Sequence, residues 1–226
     1  LQLTEVEALE LLAQQYGLTG QLSALPGERD RNFQLCLANG EKNTFKLVSA
    51  DVPLESLKVE IQAMQHLNSV LGNLVPQPLA DQAGHFISQG NLQNGRSCWL
   101  RLQSWQPGIP LAEFRPHTTE LFHSVGHLMG QVASSLSTLA VPDPHPDLPW
   151  HPGQASQIVE EGLSLVADPL LKKFLEQALR LYDRYGRPLE TDLPRSLIQN
   201  DANDYNILIH GGLEGPPKLS LIDFGD

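Results

Sequence analysis

Basic residues are scarce in this chain: 15 lysines and arginines stand against 26 aspartates and glutamates, a formal charge of −11 over 226 residues. With an isoelectric point near 5.1, the composition argues against nucleic acid or an anionic membrane as a partner. Cysteine is nearly absent. Cys36 and Cys98 are too few for a disulfide framework and fall in expected strands, where they read most simply as reduced core thiols of a cytoplasmic protein; a disulfide between them stays open. No apolar run approaches the ~20 residues of a membrane-spanning helix. Internal repeats and low-complexity tracts are missing too. What is present is a 41% hydrophobic composition, enough to bury one or two substantial cores.

The densest chemistry lies near the end, in Asp201-Ala-Asn-Asp-Tyr-Asn206 followed by Leu221-Ile-Asp223-Phe-Gly225. An aspartate, an asparagine five residues later and a subsequent Asp-Phe-Gly repeat the layout with which phosphoryl-transfer enzymes hold a hydroxyl and a metal ion. Phosphoryl transfer needs positive charge over the phosphate oxygens and an aligned nucleophile, and hard oxygen ligands suit Mg²⁺. On this reading Asp201 is the catalytic base and Asn206 and Asp223 are the metal ligands. A plain Asn/Asp-rich turn would explain the polarity but not the apolar runs at 196–198, 207–209 and 218–222. Those runs place the polar groups at strand ends around a hairpin.

A second pair lies upstream. Phe33-Gln-Leu-Cys-Leu37, the Asn39-Gly40 turn and Asn43-Thr-Phe-Lys-Leu-Val48 read as a hairpin with a type I′ turn, which puts Lys46 inside a strand. After Pro53, apolar Leu57, Ile61, Met64 and Leu67 recur at helical spacing, and Glu60 falls on their stripe. A carboxylate there needs a cation. Lys46 is the nearest upstream candidate, and a strand Lys paired with a helix Glu is how kinases position nucleotide phosphates. A snorkelling Lys and a surface Glu are the bland alternative.

The organisation is α+β in two parts. Thr4 and Glu7 form a capping box for a helix over 4–16, closed by Gly17. Hairpins at Asn39-Gly40 and Asn94-Gly95 flank the Glu60 helix, giving an antiparallel sheet with one helix beside it, over residues 1–103. Residues 104–110, Ser104-Trp-Gln-Pro-Gly-Ile-Pro110, break regular structure and mark the boundary, either a hinge reading a purine edge or an ordinary linker. Gln103 and Trp105 flank its start as candidate nucleotide contacts. From 111 to 226 the pattern is mainly helical, with buried helices expected over 121–139 and 171–182, and an extended proline-rich loop at 142–149 between them. His123 and His127 share a helix face but have neither the intervening Glu nor a third ligand of a zinc site.

Asn200-Asp-Ala-Asn-Asp-Tyr-Asn206, Ile222-Asp-Phe-Gly-Asp226, the segment 25–33 and Leu148-Pro-Trp150 resemble the hydroxylysine-kinase-type branch of the aminoglycoside phosphotransferase family over nearly the whole chain. The resemblance implies a protein-kinase-like two-lobe fold and phosphorylation of small-molecule hydroxyls with ATP or GTP and Mg²⁺. It matches Asp201 to the base, Asn206 and Asp223 to the metal ligands, Lys46 to the phosphate lysine and Glu60 to its partner. It also implies that bacterial relatives are often the leading domain of a longer polypeptide carrying an aminotransferase-like domain. Two departures stand out. Gln199 replaces the family's usual histidine, and the chain begins at Leu1 and stops at Asp226, which reads as a trimmed fragment holding the nucleotide half of the site and lacking part of the acceptor half.

A protein kinase is disfavoured, since segment 25–33 has only Gly27 and no Gly-x-Gly-x-x-Gly, so that a phosphate-covering loop would need other groups, at Arg29, Asp30 or Asn32 and among the local backbone amides. The expectation is a Mg²⁺- and nucleotide-dependent small-molecule kinase acting on an alcohol such as hydroxylysine, against the alternative of a non-catalytic nucleotide-binding or regulatory domain. Asp204 and Asp226 are compatible with a cationic amine on the acceptor.

Overall fold

The computed structural model describes residues 3–27, 30–141, 154–190, 192–211 and 217–225. The chain divides into two units, Leu1–Val141 with Leu197–Asp226, and Pro142–Ser196. Outside the described residues lie Arg29, the expected loop 142–149, the Leu148-Pro-Trp150 motif, the turn residues Gly212, Gly215 and Pro216, and Asp226.

In the first unit, helix α1 (Glu5–Tyr16) opens on the expected capping box, with the Thr4 side chain accepting from the Glu7 amide and Glu7 accepting from the Thr4 amide, and closes at left-handed Gly17. Strands β1 (Gly20–Leu25), β2 (Arg31–Leu37), β3 (Lys42–Ser49), β4 (Pro78–Leu79), β5 (Ser88–Asn91) and β6 (Ser97–Ser104) form an antiparallel sheet in the order β1-β2-β3-β6-β4, with β5 also on β6. Alternation along the strands splits the sheet chemically. Phe33, Leu35, Phe45, Leu47, Cys98, Leu100 and Leu102 point to one face and make a core with Ala8, Leu11, Leu12 and Tyr16 of α1. Each fully buried side chain of this size contributes about 1.5–3 kcal/mol. The opposite face carries Asn32, Lys46 and Arg101 in one cross-strand row and Gln34, Thr44 and Gln103 in the next.

Helix α2 (Leu54–Leu71) runs between β3 and β4. Its Ile61, Ala63, Met64 and Leu67 enter a second core with Leu121, Leu128, Val132 and Leu136 of α3 (Thr119–Leu136). Strands β7 (Ile109–Pro110), β8 (Ile207–His210) and β9 (Lys218–Leu221) form a small sheet whose Ile207, Ile209, Leu219 and Leu221 complete this core together with Phe224. The fold is the kinase-like one, α+β with an antiparallel sheet and helix followed by a mainly helical part.

Several expectations need correction. The Asn39-Gly40 turn is not type I′. Among the described residues only Asn200 and Asp223 are non-glycines with positive φ, while Gly40 stands at +84°. The Gly40 amide bonds to Leu37 O and the Leu37 amide to Glu41 O. A single left-handed glycine therefore closes a longer loop, which extra residues between the strands require. The run 196–198 is not a strand; Ile198 is exposed, and the backbone passes at once into left-handed Asn200. Cys98 is buried but Cys36 only half-buried, and both are free thiols.

In the second unit, α4 (Ala155–Gly162) precedes α5 (Pro169–Leu181), which is capped by Asp168 accepting from the Leu170 and Leu171 amides. Helical spacing located α5, but none of its residues is buried, and Phe174 is 67% exposed. Periodicity reveals an apolar stripe, not what covers it. Phe122 of α3 is likewise exposed.

Candidate active site

Lys46 reaches the site because β3 alternates: Phe45 and Leu47 enter the α1 core, so Lys46 points to the opposite face. Its Nζ lies 3.0 Å from Asp223 Oδ1. The Lys46 ammonium holds the Asp223 carboxyl below the usual carboxylate range, against the upward push of burial and with further help from Arg101. Asp223 follows the end of β9 and takes φ +57°. Asp tolerates the left-handed region better than most side chains, so one residue can form the turn and still present a carboxylate at it. Next to it, Phe224 is buried in the second core and anchors the turn.

Gln199, also buried, fixes this turn from the other side. Its Nε2 donates to the carbonyls of Asp223 at 2.6 Å and Ile222 at 3.3 Å. The amide thus supplies an orienting contact at the position where the family histidine was missed. The Asp201–Asn206 loop is organised by Asn203, which the spacing of Asp201, Asn206 and Asp223 does not single out. Its Oδ1 accepts from the Tyr205 and Asn206 amides, and its Nδ2 donates to both oxygens of Asp201. That local pattern, a side-chain oxygen bonding backbone two residues on, was the available signal. Asn206 Nδ2 donates to the Asp201 carbonyl and to Oδ2, which leaves Oδ1 as the atom available to a cation. The Ile222 amide bonds the Asn206 carbonyl at 2.9 Å, and with the β8–β9 register this brings the Asn206 and Asp223 segments side by side.

These donors fit a hard cation: a carboxylate kept ionised by Lys46 and an amide oxygen suit Mg²⁺, which keeps waters and phosphate oxygens as its remaining ligands. Among the described residues no group of three or more His, Cys, Asp and Glu side chains is arranged to hold a metal, so exposed His123 and His127 remain a helix-surface pair.

The Lys46–Glu60 ion pair is replaced. Glu60 of α2 accepts a charge-assisted hydrogen bond from Arg101 Nη1, and Arg101 Nη2 lies 3.9 Å from Asp30. Burial disfavours the charged guanidinium, yet Glu60 and Asp30 outweigh it and hold its proton more firmly. Sequence proximity pointed to Lys46 because nothing in the chain reveals that β6 lies beside β3. Asn32 sits opposite Lys46 on the other side. Asn32 Oδ1 and Arg101 Nε, at the two ends of this row, are buried without partners, as expected of a surface built around a polar occupant. Gln103 lies on the same face one row along. Trp105, half-buried just beyond β6, uses its amide on the Lys42 carbonyl at 3.4 Å. No helix among the described residues is long and apolar enough to cross a membrane.

The family model for the phosphotransferase enzyme family (APH) matches residues 22–226. No curated protein sequence matches the chain. Solved structures share its fold. Amicoumacin kinase hAmiN, in complex with AMP-PNP, Ca²⁺ and Ami, aligns with TM-score 0.71 at 19% identity, over 99% of this chain and 64% of that one. A microcompartment-associated aminopropanol kinase gives 0.67 at 14% identity over 97% and 69%. The GDP complex of wild-type aminoglycoside 2'-phosphotransferase-IIIa gives 0.68 at 17% identity over 99% and 73%. The chain thus spans about two thirds of the length of these proteins, and its match to the family model over residues 22–226 makes it a member of the phosphotransferase enzyme family.

Proposed function

We propose that this protein transfers the γ-phosphoryl group of ATP or GTP to a hydroxyl of a small molecule, with an amino alcohol such as hydroxylysine as the favoured acceptor class. The observation that carries the reading is the convergence of Asp201, Asn206 and Asp223 in one hydrogen-bonded loop pair, with Lys46 on Asp223. Asn206 Oδ1 and the Asp223 carboxylate would hold Mg²⁺, whose charge would offset that of the phosphates. Lys46 binds phosphate oxygens from the sheet face, and Asn32 adds a polar contact beside it. Gln103, Trp105 and the 104–110 segment border the base and ribose. Asp201, held in place by Asn203 and Asn206, accepts the acceptor's proton as its oxygen bonds the γ-phosphorus and the bond to the nucleoside diphosphate breaks. Glu60 acts through Arg101 rather than through Lys46.

An amine-bearing acceptor is supported by the exposed Asp204 on the same loop and by the net charge of −11, and is consistent with the acceptors named for the structural neighbours. A cytoplasmic setting is supported by two free thiols and by the need for nucleoside triphosphate. The test is a phosphorylation screen of 5-hydroxylysine, ethanolamine, 1-amino-2-propanol and an aminoglycoside with ATP and GTP, beside an Asp201→Asn control. Mg²⁺-dependent transfer that Asp201→Asn abolishes supports the reading; nucleotide binding without transfer to any alcohol would favour a regulatory domain.

A further inference from the structure

We infer that Asn203 is a positioning residue for phosphoryl transfer: its amide nitrogen turns the Asp201 carboxylate so that Oδ1, and not Oδ2, meets the acceptor hydroxyl. The inference rests on the proposed role of Asp201 as the base. The backbone of the loop is set from both sides. The Asp201 amide donates to the Gln199 carbonyl at 2.9 Å across left-handed Asn200, at φ +67°. Asn203 Oδ1 accepts from the Tyr205 and Asn206 amides at 2.8 and 3.2 Å. Those contacts hold the main chain but leave the Asp201 carboxylate free to rotate.

Two side-chain amides remove that freedom. Asn203 Nδ2 stands 3.0 Å from each Asp201 oxygen, whereas Asn206 Nδ2 reaches only Oδ2 of the pair, at 2.9 Å. Each oxygen of an ionised carboxylate has two lone pairs to offer. Oδ2 has both in use; Oδ1 meets one donor among the described residues and keeps a lone pair for a hydroxyl. The orientation of the Asn203 amide follows from its partners, since backbone N–H groups can meet only its oxygen, which leaves its nitrogen for the carboxylate. One planar group therefore holds both the backbone of Asn206, a proposed metal ligand, and the carboxylate of the proposed base. Asn203 is exposed and Asp201 half-buried, so the hydrogen bond between them adds little to stability. What it restricts is direction: the hydroxyl gives its proton to Oδ1 as its oxygen bonds the γ-phosphorus and the bond to the nucleoside diphosphate breaks, and alignment of that kind governs turnover.

Asn203→Ser and Asn203→Asp separate the two ends of the amide. Each keeps an oxygen for the Tyr205 and Asn206 amides, as Ser and Asp do in such turns, and neither keeps the Nδ2 donor. The serine is too short to bridge both Asp201 oxygens and adds no charge; the aspartate sets a second carboxylate against the first. Turnover is measured with whichever of 5-hydroxylysine, ethanolamine, 1-amino-2-propanol and an aminoglycoside the unaltered protein phosphorylates most readily. Both variants should lose about a hundredfold in kcat, the scale of a ~1 Å misplacement at the reacting atoms. In Asn203→Ser the acceptor KM and the calorimetric affinity for Mg²⁺·AMP-PNP or Mg²⁺·GMP-PNP should stay within about threefold of the unaltered protein. A residue that only forms the turn predicts full turnover in both variants, and melting temperatures recorded in parallel separate alignment from stability. If Asn203→Ser does not fold, Asn203→Asp carries the test on kcat. A kcat loss below about tenfold in either folded variant, or a loss in Asn203→Ser that falls on KM or nucleotide affinity instead of kcat, would overturn the inference while leaving the proposed function standing. No transfer to any of these alcohols by the unaltered protein would overturn both.

Discussion

Lys46 and Arg101 stand directly opposite each other on β3 and β6, two buried cations that would repel, and each is bound to a different carboxylate, Lys46 to Asp223 and Arg101 to Glu60. The strand that supplies one cation therefore supplies neither of the anions. Four chain segments distant in sequence meet at one charge network, and the consequences can be tested group by group.

Lys46→Met should lower kcat/KM by about a hundredfold, the scale for losing one preorganised donor to a transferring group. The fold should survive, because Asp223, 42% exposed at its side chain, can take water in place of the ammonium. Steady-state phosphorylation and thermal melts would be compared. Turnover equal to that of the unaltered protein would remove Lys46 from the site.

Gln199→Leu keeps the volume of the side chain but loses the donor to the Ile222 and Asp223 carbonyls. It should destabilise by about 1–2 kcal/mol and weaken Mg²⁺-dependent nucleotide binding by loosening the Asp223 turn. Gln199→His, whose ring N–H can still donate, should retain more of both. Identical Mg²⁺ titrations for Gln199→Leu and the unaltered protein would contradict this anchoring role.

The pH dependence of stability carries a sign. Lys46 depresses the folded-state value of Asp223 below that of the unfolded chain, so its contribution is complete above the unfolded carboxylate's range, ~3.9, and is lost as pH falls through the depressed folded value. Asp223→Asn should therefore be less stable at neutral pH, by about 1 kcal/mol or less given the exposure, and the two melting curves should converge in acid. A gap that stays constant to the lowest accessible pH would exclude the linkage.

A control lies in the connection between β4 and β5. The Asp81 carboxylate accepts from the Ala83 and His85 amides at 2.8 Å each and from Ser88 Oγ at 2.6 Å. Its desolvation pushes its pKa up, yet these hydrogen bonds and His85 together hold it below the ordinary value. Asp81→Ala should cost about 2 kcal/mol and leave Mg²⁺·nucleotide affinity unchanged. Lost affinity in a variant that still melts cooperatively would show that this turn is coupled to the site.

Much of this was legible in the chain because it is local. The Thr4–Glu7 capping box, the strand containing Lys46, the α2 periodicity, the Asp201–Asn206 spacing and the Asp-Phe-Gly at 223–225 each depend on residues within a few positions of one another. What escaped depends on which elements become neighbours. Arg101 is 41 residues from Glu60 and looks like any polar residue on a strand until β6 is known to pair with β3. The Asn39-Gly40 motif specifies a turn, but the count of residues between paired strands specifies its type. The stripe of α5 is correctly periodic, and its exposure is a property of what surrounds it.

Helix α2 has a consequence of its own. Glu60 faces the polar side of the sheet, and the next residue, Ile61, enters the core that also holds Phe224 and the strands around the catalytic loop. The helix thus joins the polar side of the sheet to the core beneath the Asp223 turn. On the proposed function, repacking an apolar residue far from any phosphate, such as Met64 or Leu128, alters the core that also seats Phe224, beside one of the two proposed metal ligands.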